Sequence, residues 1–381
     1  MLARQQRRCY RLRYFQWLLT KGPHNGRTRP KTRDGRAAPH SHDGLRLAAS
    51  GGIGRYRLHH VADPSPADRT RPQAHNGEMD AALHYRRFRF HGRDHTSLVG
   101  WCNDADGPPL LVANGLGTPP EAWPRLLSHQ PDYHVAGWNH RGGLGSDRPA
   151  DPTRITVADH VDDAFALMDH IGWQSTVVVG WSIGVNVAFE MAAREPHRVD
   201  GIVALAGVPG GTFEAGFAPL MVPKPLRRHV SMGVVQAGKL LGTPLTALAQ
   251  RVPKERSFAD FLRWSGFMMP YARTDDALPW IRAFLEHDFH WYFTLMAAAA
   301  EHQPIDPSFV QVPVTVVAGG FDVMTSMRDV VAFAEQIPHA ALHVLHGTHM
   351  LPIEFPDHIL ELIHDVYEQA AHRARTLPET A

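Results

Sequence analysis

The stretch that most constrains this chain is Thr176-Val177-Val178-Val179, followed at once by Gly180-Trp181-Ser182-Ile183-Gly184. Four β-branched residues with apolar character on both faces suit a strand buried on both sides, the environment of a central strand in a parallel sheet. The residues after the five-residue turn, Val185–Arg194, read as a helix that ends before Pro196. A strand, a sharp turn with serine at its centre and a helix form the setting of a nucleophile elbow. Gly180 and Gly184 keep side chains out of the crowded turn, and Ser182 must take a strained backbone conformation there. The turn presents the hydroxyl at the positive end of the following helix.

The rest of residues 81–381 is expected to build an α/β domain around that strand. Strand-like segments occur at His84–Phe90, Ser97–Cys102, Leu110–Ala113, Tyr133–Trp138, Gly201–Ala206, 312–318 and 341–345. Helical segments alternate with them. One opens on a Thr156/Asp159 capping box, buries Val161, Ala164, Met168 and Ile171, and stops at Gly172. Another runs through Ile359, Leu360, Ile363, Val366 and Tyr367. Alternation of this kind means a mainly parallel sheet with helices on both faces. Residues from about 211 to 305 break it with helical, aromatic-rich stretches, notably Phe261–Met269 and Pro279–Met296. Such an insertion is expected to lie as a cap over the carboxyl ends of the strands, where open α/β sheets bind ligands. Trp280, Phe284, Trp291 and Leu295 share one helical face in that reading, and the aromatic content favours a small apolar substrate.

A serine hydroxyl needs a base to act as a nucleophile. Position selects His349, in Gly347-Thr348-His349-Met350-Leu351-Pro352 just past the last strand, over His343 and His346 within or at the end of it. Asp322 follows the preceding strand in Gly319-Gly320-Phe321-Asp322, whereas Asp306 lies before that strand and Asp329 lies in the next helix. The chain order Ser182, Asp322, His349 is the one expected of such elbows. A tetrahedral intermediate also needs two amide donors, for which the N–H groups of Ile183 and of Leu116, in Asn114-Gly115-Leu116-Gly117, are placed.

With these residues in place, the chain resembles the α/β-hydrolase superfamily over about residues 82–375, most closely its esterase, lactonase and carboxyl-esterase members with a helical cap. The Asn114 loop is similar to the family's His-Gly oxyanion turn with Asn in place of His, and Arg141-Gly142-Gly143-Leu144-Gly145-Ser146 is similar to its segment after the fourth strand. Pro196-His197-Arg198-Val199 is a further shared habit; Val185-Asn186 departs from the second glycine that many relatives carry after the elbow. The resemblance implies an eight-stranded, mainly parallel sheet with an inserted cap. It also implies a serine hydrolase that cleaves a carboxylic ester, lactone or thioester through an acyl-enzyme without a cofactor. Acyl transfer or perhydrolysis by the same triad is the alternative, and a non-catalytic ligand-binding member of the fold is a third reading.

Composition bounds the remaining possibilities. Two cysteines, Cys9 and Cys102, exclude a disulfide framework, and no apolar stretch suffices for a spanning helix. His287 and His290, three apart around Asp288, lack an acidic partner set at zincin spacing, so they are read as solvent-facing and no metal is expected. The net charge of +1 hides a division: residues 1–80 hold 16 Lys and Arg against 6 Asp and Glu, and the remainder holds 23 against 32. The first 80 residues are therefore expected to be a basic, disordered leader, with Met79 as an alternative start. The acidic body is expected to be a cytoplasmic enzyme with a small-molecule partner and no affinity for nucleic acid. Nothing in the sequence sets an oligomeric state.

Overall fold

The computed structural model describes residues 83–129, 131–215, 222–265 and 267–376. The basic leader and the alternative start at Met79 lie outside them.

Eight strands form one sheet in the order β1-β2-β4-β3-β5-β6-β7-β8. They are β1 (Arg86–His91), β2 (Ser97–Cys102), β3 (Pro109–Ala113), β4 (His134–Trp138), β5 (Thr176–Trp181), β6 (Val199–Leu205), β7 (Val314–Gly319) and β8 (Ala341–Leu345). The β1/β2 and β2/β4 pairs are antiparallel and all the others parallel. β5 sits in the interior of the sheet, as its apolar composition requires. Val177 and Val179 point into one layer with Ile363 and Val366, and Val178 into the other with Phe165 and Phe189. All three valines are fully buried, a contribution of about 1.5–3 kcal/mol each.

One layer is built by α1 (Val157–Ile171) and α2 (Gly184–Arg194). The Thr156/Asp159 capping box is present, and Gly172 ends α1 in the left-handed conformation. Between β6 and β7 the described residues make five further helices of at least eight residues: α3 (Lys224–Leu240), α4 (Gly242–Ala249), α5 (Arg256–Trp264), α6 (Thr274–Phe284) and α7 (Phe289–Ala299). α8 (Met327–Ala334) joins the layer of α1 and α2, and α9 (Pro356–Thr376) covers the opposite face.

The inserted helices differ from the sequence reading in two respects. The expected helical stretch Phe261–Met269 is helical only as far as Trp264, where α5 ends. The expected continuous segment Pro279–Met296 is two helices, so the single face through Trp280, Phe284, Trp291 and Leu295 does not exist. Asp288 breaks it: its carboxylate accepts the N–H groups of His290 (3.0 Å) and Trp291 (3.2 Å) and starts α7 afresh. No helix among the described residues is long and apolar enough to cross a membrane.

The register brings several strand ends to one edge. Ala113 pairs with Gly180, Trp181 with Leu205 and Gly319 with Leu345. The segments that leave those ends therefore emerge side by side.

Candidate active site

Ser182 leaves β5 with φ of 57°, a left-handed backbone on a residue that is not glycine. The turn is held by the Ser182 N–H donating to the Leu205 carbonyl (2.9 Å) and the Val185 N–H donating to the Ser182 carbonyl (3.1 Å). Gly184 is required by close approach. A β-carbon there would lie 1.8 Å from the Ala113 carbonyl oxygen, so α2 packs directly against the end of β3.

Asp322 and His349 meet at the neighbouring strand ends, with His349 Nδ1 2.7 Å from Asp322 Oδ2 and both side chains buried. The other carboxylate oxygen, Oδ1, accepts the N–H groups of Met324 (2.7 Å) and Thr325 (2.8 Å). Trp181, the residue before Ser182, donates its indole N–H to the His349 carbonyl at 2.9 Å, which ties the elbow to the histidine loop. Of the other carboxylates weighed in the sequence, Asp329 pairs with Arg227 at 3.1 Å and Asp306 caps a short turn before β7.

The loop after β3 is fixed by Trp123, whose indole N–H donates to Asn114 Oδ1 at 2.7 Å. A turn closed from Thr118 N–H to the Gly115 carbonyl carries Leu116. A β-carbon at Gly115 would lie 3.6 Å from Ser182 Cβ, which places this loop beside the elbow. Among the described residues, neither the Leu116 nor the Ile183 N–H is taken up by a backbone carbonyl. The elements predicted from sequence thus lie along one edge.

Three groups of neighbouring residues escaped the sequence reading. Glu354 is buried and accepts the Thr348 N–H (2.7 Å), the Thr348 hydroxyl (2.7 Å) and the Met269 N–H (2.7 Å). Burial pushes its carboxyl up, with the Asp322 charge adding, while those three donors act the other way. Its one sequence signal is a lone charge in the apolar run Leu351-Pro352-Ile353.

The second group anchors the loop after β4. Arg141 has no exposed side-chain surface and binds Asp163 at 2.7 and 2.8 Å, the Arg154 carbonyl at 2.8 Å, and Asp94. Trp291 of α7 donates its indole N–H to the Arg141 carbonyl at 2.8 Å, and Arg148 pairs with Asp288 at 2.6 Å. Asp163→Ala leaves a buried guanidinium short of a partner and is expected to cost about 3–5 kcal/mol in urea unfolding. A loss under about 1 kcal/mol would show that the pair contributes nothing beyond packing. Burial alone would raise the Asp94 carboxyl, but Arg141 and Thr96 hold it at about 2. Its folded value lies below its ordinary one, so its stabilisation is full above about 4 and is lost as pH falls through about 2. Asp94→Asn is therefore expected to flatten that part of an acid unfolding curve.

The third is His287, a correction to the sequence reading. It is 7% exposed rather than solvent-facing, and it lies between α6 and α7. Its Nδ1 lies 2.9 Å from the Phe284 carbonyl and so carries the proton, which leaves Nε2 a bare acceptor. With His140 it lines a cavity of about 10 Å³, room for one water, beside Gly117 and Gly143. Burial keeps both imidazoles neutral by pushing their pKa values down. Ser182, Asp322 and His349 do not line this cavity. His290 is exposed, as expected. Among the described residues one group, Cys102, Asp104 and His134, brings ligand-type atoms together; it lies at the opposite end of β4, and Arg86 already pairs with Asp104.

A sequence profile described as the alpha/beta hydrolase fold matches residues 108–356, well over half of the chain. The chain belongs to the α/β-hydrolase family. Within that family it is 27% identical over 299 residues to 3-oxoadipate enol-lactonase 2 of Acinetobacter baylyi, covering 75% of this chain and 94% of the relative. It is 25% identical over 277 residues to the poly(3-hydroxyalkanoate) depolymerase of Ectopseudomonas oleovorans, covering 72% and 89% respectively. The crystal structure of the enol-lactonase from Burkholderia xenovorans superimposes with a TM-score of 0.54 at 21% identity, covering 75% of this chain and 96% of that one. That likeness is one of α/β-hydrolase fold. These matches confirm the family and the sheet architecture expected from the sequence.

Proposed function

We propose that this chain is a serine hydrolase that opens a carboxylic ester or lactone through an acyl-enzyme. The observation that carries the reading is the buried Asp322–His349 pair, 2.7 Å apart, at the sheet edge that also bears the strained Ser182 elbow. In this mechanism Ser182 Oγ attacks the acyl carbon while His349 Nε2 takes its proton. Asp322 orients the imidazole through Nδ1 and stabilises it once charged. The Leu116 and Ile183 N–H groups receive the oxyanion, each worth about 3–4 kcal/mol of barrier. The His349 proton then passes to the leaving alkoxide, and water repeats the sequence to release the acid. In a lactone the alkoxide stays tethered, and ring opening is the first half of the same cycle.

The insertion is read as a cap. Its segments 267–271 and 288–291 bond to the loops that carry His349 and Arg141, which supports a position over the strand ends. Stacked and edge-on aromatic rings, Trp280 with Phe284 at 5.7 Å and Phe284 with Tyr292 at 5.4 Å, supply an apolar wall suited to a small acyl or alcohol group. The named activities of the relatives, an enol-lactonase and a polyester depolymerase, agree with ester or lactone chemistry.

Labelling with a fluorophosphonate probe tests the reading. The expected result is one adduct, mapped by peptide mass spectrometry to Ser182, and none in Ser182→Ala. Folded wild-type protein that takes no label overturns it. Turnover of aryl esters in the presence of an added alcohol then separates hydrolysis from acyl transfer, by whether free acid or the new ester accumulates.

A further inference from the structure

α3 has two apolar faces, and only one of them is packed. Ser231, Val235 and Gly238 are buried, with the Ser231 hydroxyl on the Phe213 carbonyl (3.0 Å) and Gly238 pressed against the ring of Phe293. On another face Leu226, Val230, Val234, Ala237 and Leu241 follow at steps of four, four, three and four residues. They form a continuous helical stripe without a charge, and Leu240 beside it and Leu248 of α4 extend it. The six large members of this surface are between 40% and 84% exposed. A stripe of that width costs free energy in water, and on a water-exposed helix it marks a surface built to meet something apolar.

Its electrostatic setting identifies what. From residue 215 to 254 the chain has no Asp or Glu, but it has Lys224, Arg227, Arg228, Lys239, Arg251 and Lys254. The rest of residues 81–381 is therefore even more acidic than the whole, so positive charge is concentrated on α3 and on the short segment that follows α4. Arg227 is committed to Asp329 and Lys254 to Glu286, whereas Arg228 and Arg251 are exposed. Docking this surface on a second copy of itself would oppose two sets of cations. An anionic lipid surface satisfies both features at once: acyl chains receive the stripe and headgroups receive the basic residues.

We propose that α3 and α4 form an interfacial helix pair that seats the protein, without spanning, on an anionic phospholipid surface. The proposal is independent of the catalytic reading. Sedimentation of the full chain with vesicles of phosphatidylcholine alone, or mixed with phosphatidylglycerol, tests it. Binding is expected to the mixed vesicles only, weakening with salt. Leu226→Ser/Val230→Ser/Val234→Ser together are expected to weaken it at least about tenfold. Arg228→Glu/Arg251→Glu is expected to abolish the preference for phosphatidylglycerol. Thermal unfolding midpoints close to wild type establish that both variants are folded. Absent binding by the wild type overturns the proposal. So does binding that survives the triple variant, which would place the contact elsewhere, the basic first 80 residues included. A dimer that the triple variant converts to monomer in sedimentation velocity overturns it as well.

Discussion

Ser182→Ala is expected to lower kcat for an activated ester by roughly 10⁴–10⁶-fold and to leave the fold intact. The two contacts that hold the elbow, to Leu205 and from Val185, use the Ser182 backbone and survive the change. Alanine keeps the β-carbon, so the left-handed strain at φ of 57° is unchanged and the unfolding midpoint should be too. Ser182→Gly separates strain from chemistry. It is expected to be equally inactive but about 1 kcal/mol more stable, because glycine adopts that backbone without steric conflict. Steady-state rates and thermal melts of the two variants provide the check. An alanine variant retaining more than a hundredth of the activity would sink the nucleophile assignment.

Asp322→Asn is expected to cost about 10⁴-fold in kcat at neutral pH, and the hydrogen bonds of the loop explain why. Asp322 Oδ1 already accepts two backbone N–H groups, from Met324 and Thr325. An asparagine must keep its carbonyl oxygen on those donors, so its NH₂ faces His349 Nδ1. That group can only donate, which forces the imidazole proton onto Nε2. The atom that must accept the Ser182 proton is then occupied, although no heavy atom has moved. Crystallographic superposition with unchanged loop positions, together with the loss of rate, supports this account. A loss of less than about tenfold would assign the carboxylate a purely structural role.

Much of this arrangement was legible because its causes are local. The β5 run followed by the elbow encodes a buried strand and a tight turn within nine residues, and the capping box at Thr156 encodes the start of α1. Asp322 and His349 could be placed by counting strands, since a residue just past a parallel strand's end lies on the ligand edge whatever the distant chain does. Arg141, Asp163 and Asp94 could not: their charges look solvated in sequence, and only packing joins three segments of the chain into one buried cluster. His287 was misjudged for a similar reason. Its neighbours Glu286 and Asp288 are exposed, yet the break between α6 and α7 turns its ring inward. A periodicity argument assumes a helix that continues, and the Asp288 cap ends that assumption.

Glu354 gives the aromatic insertion and the histidine loop a common fate. One carboxylate oxygen serves Met269 of the insertion and the Thr348 hydroxyl, and the other serves the Thr348 N–H one residue before His349. Displacement of Met269 strips a donor from a buried carboxyl group, at a cost on the order of 1–3 kcal/mol. The carboxyl group must then redistribute its remaining bonds at Thr348. Opening that side of the insertion and keeping His349, the proposed general base, aligned are thus competing demands. Traffic of substrate and product should meet less resistance on the side of the insertion that Glu354 does not latch.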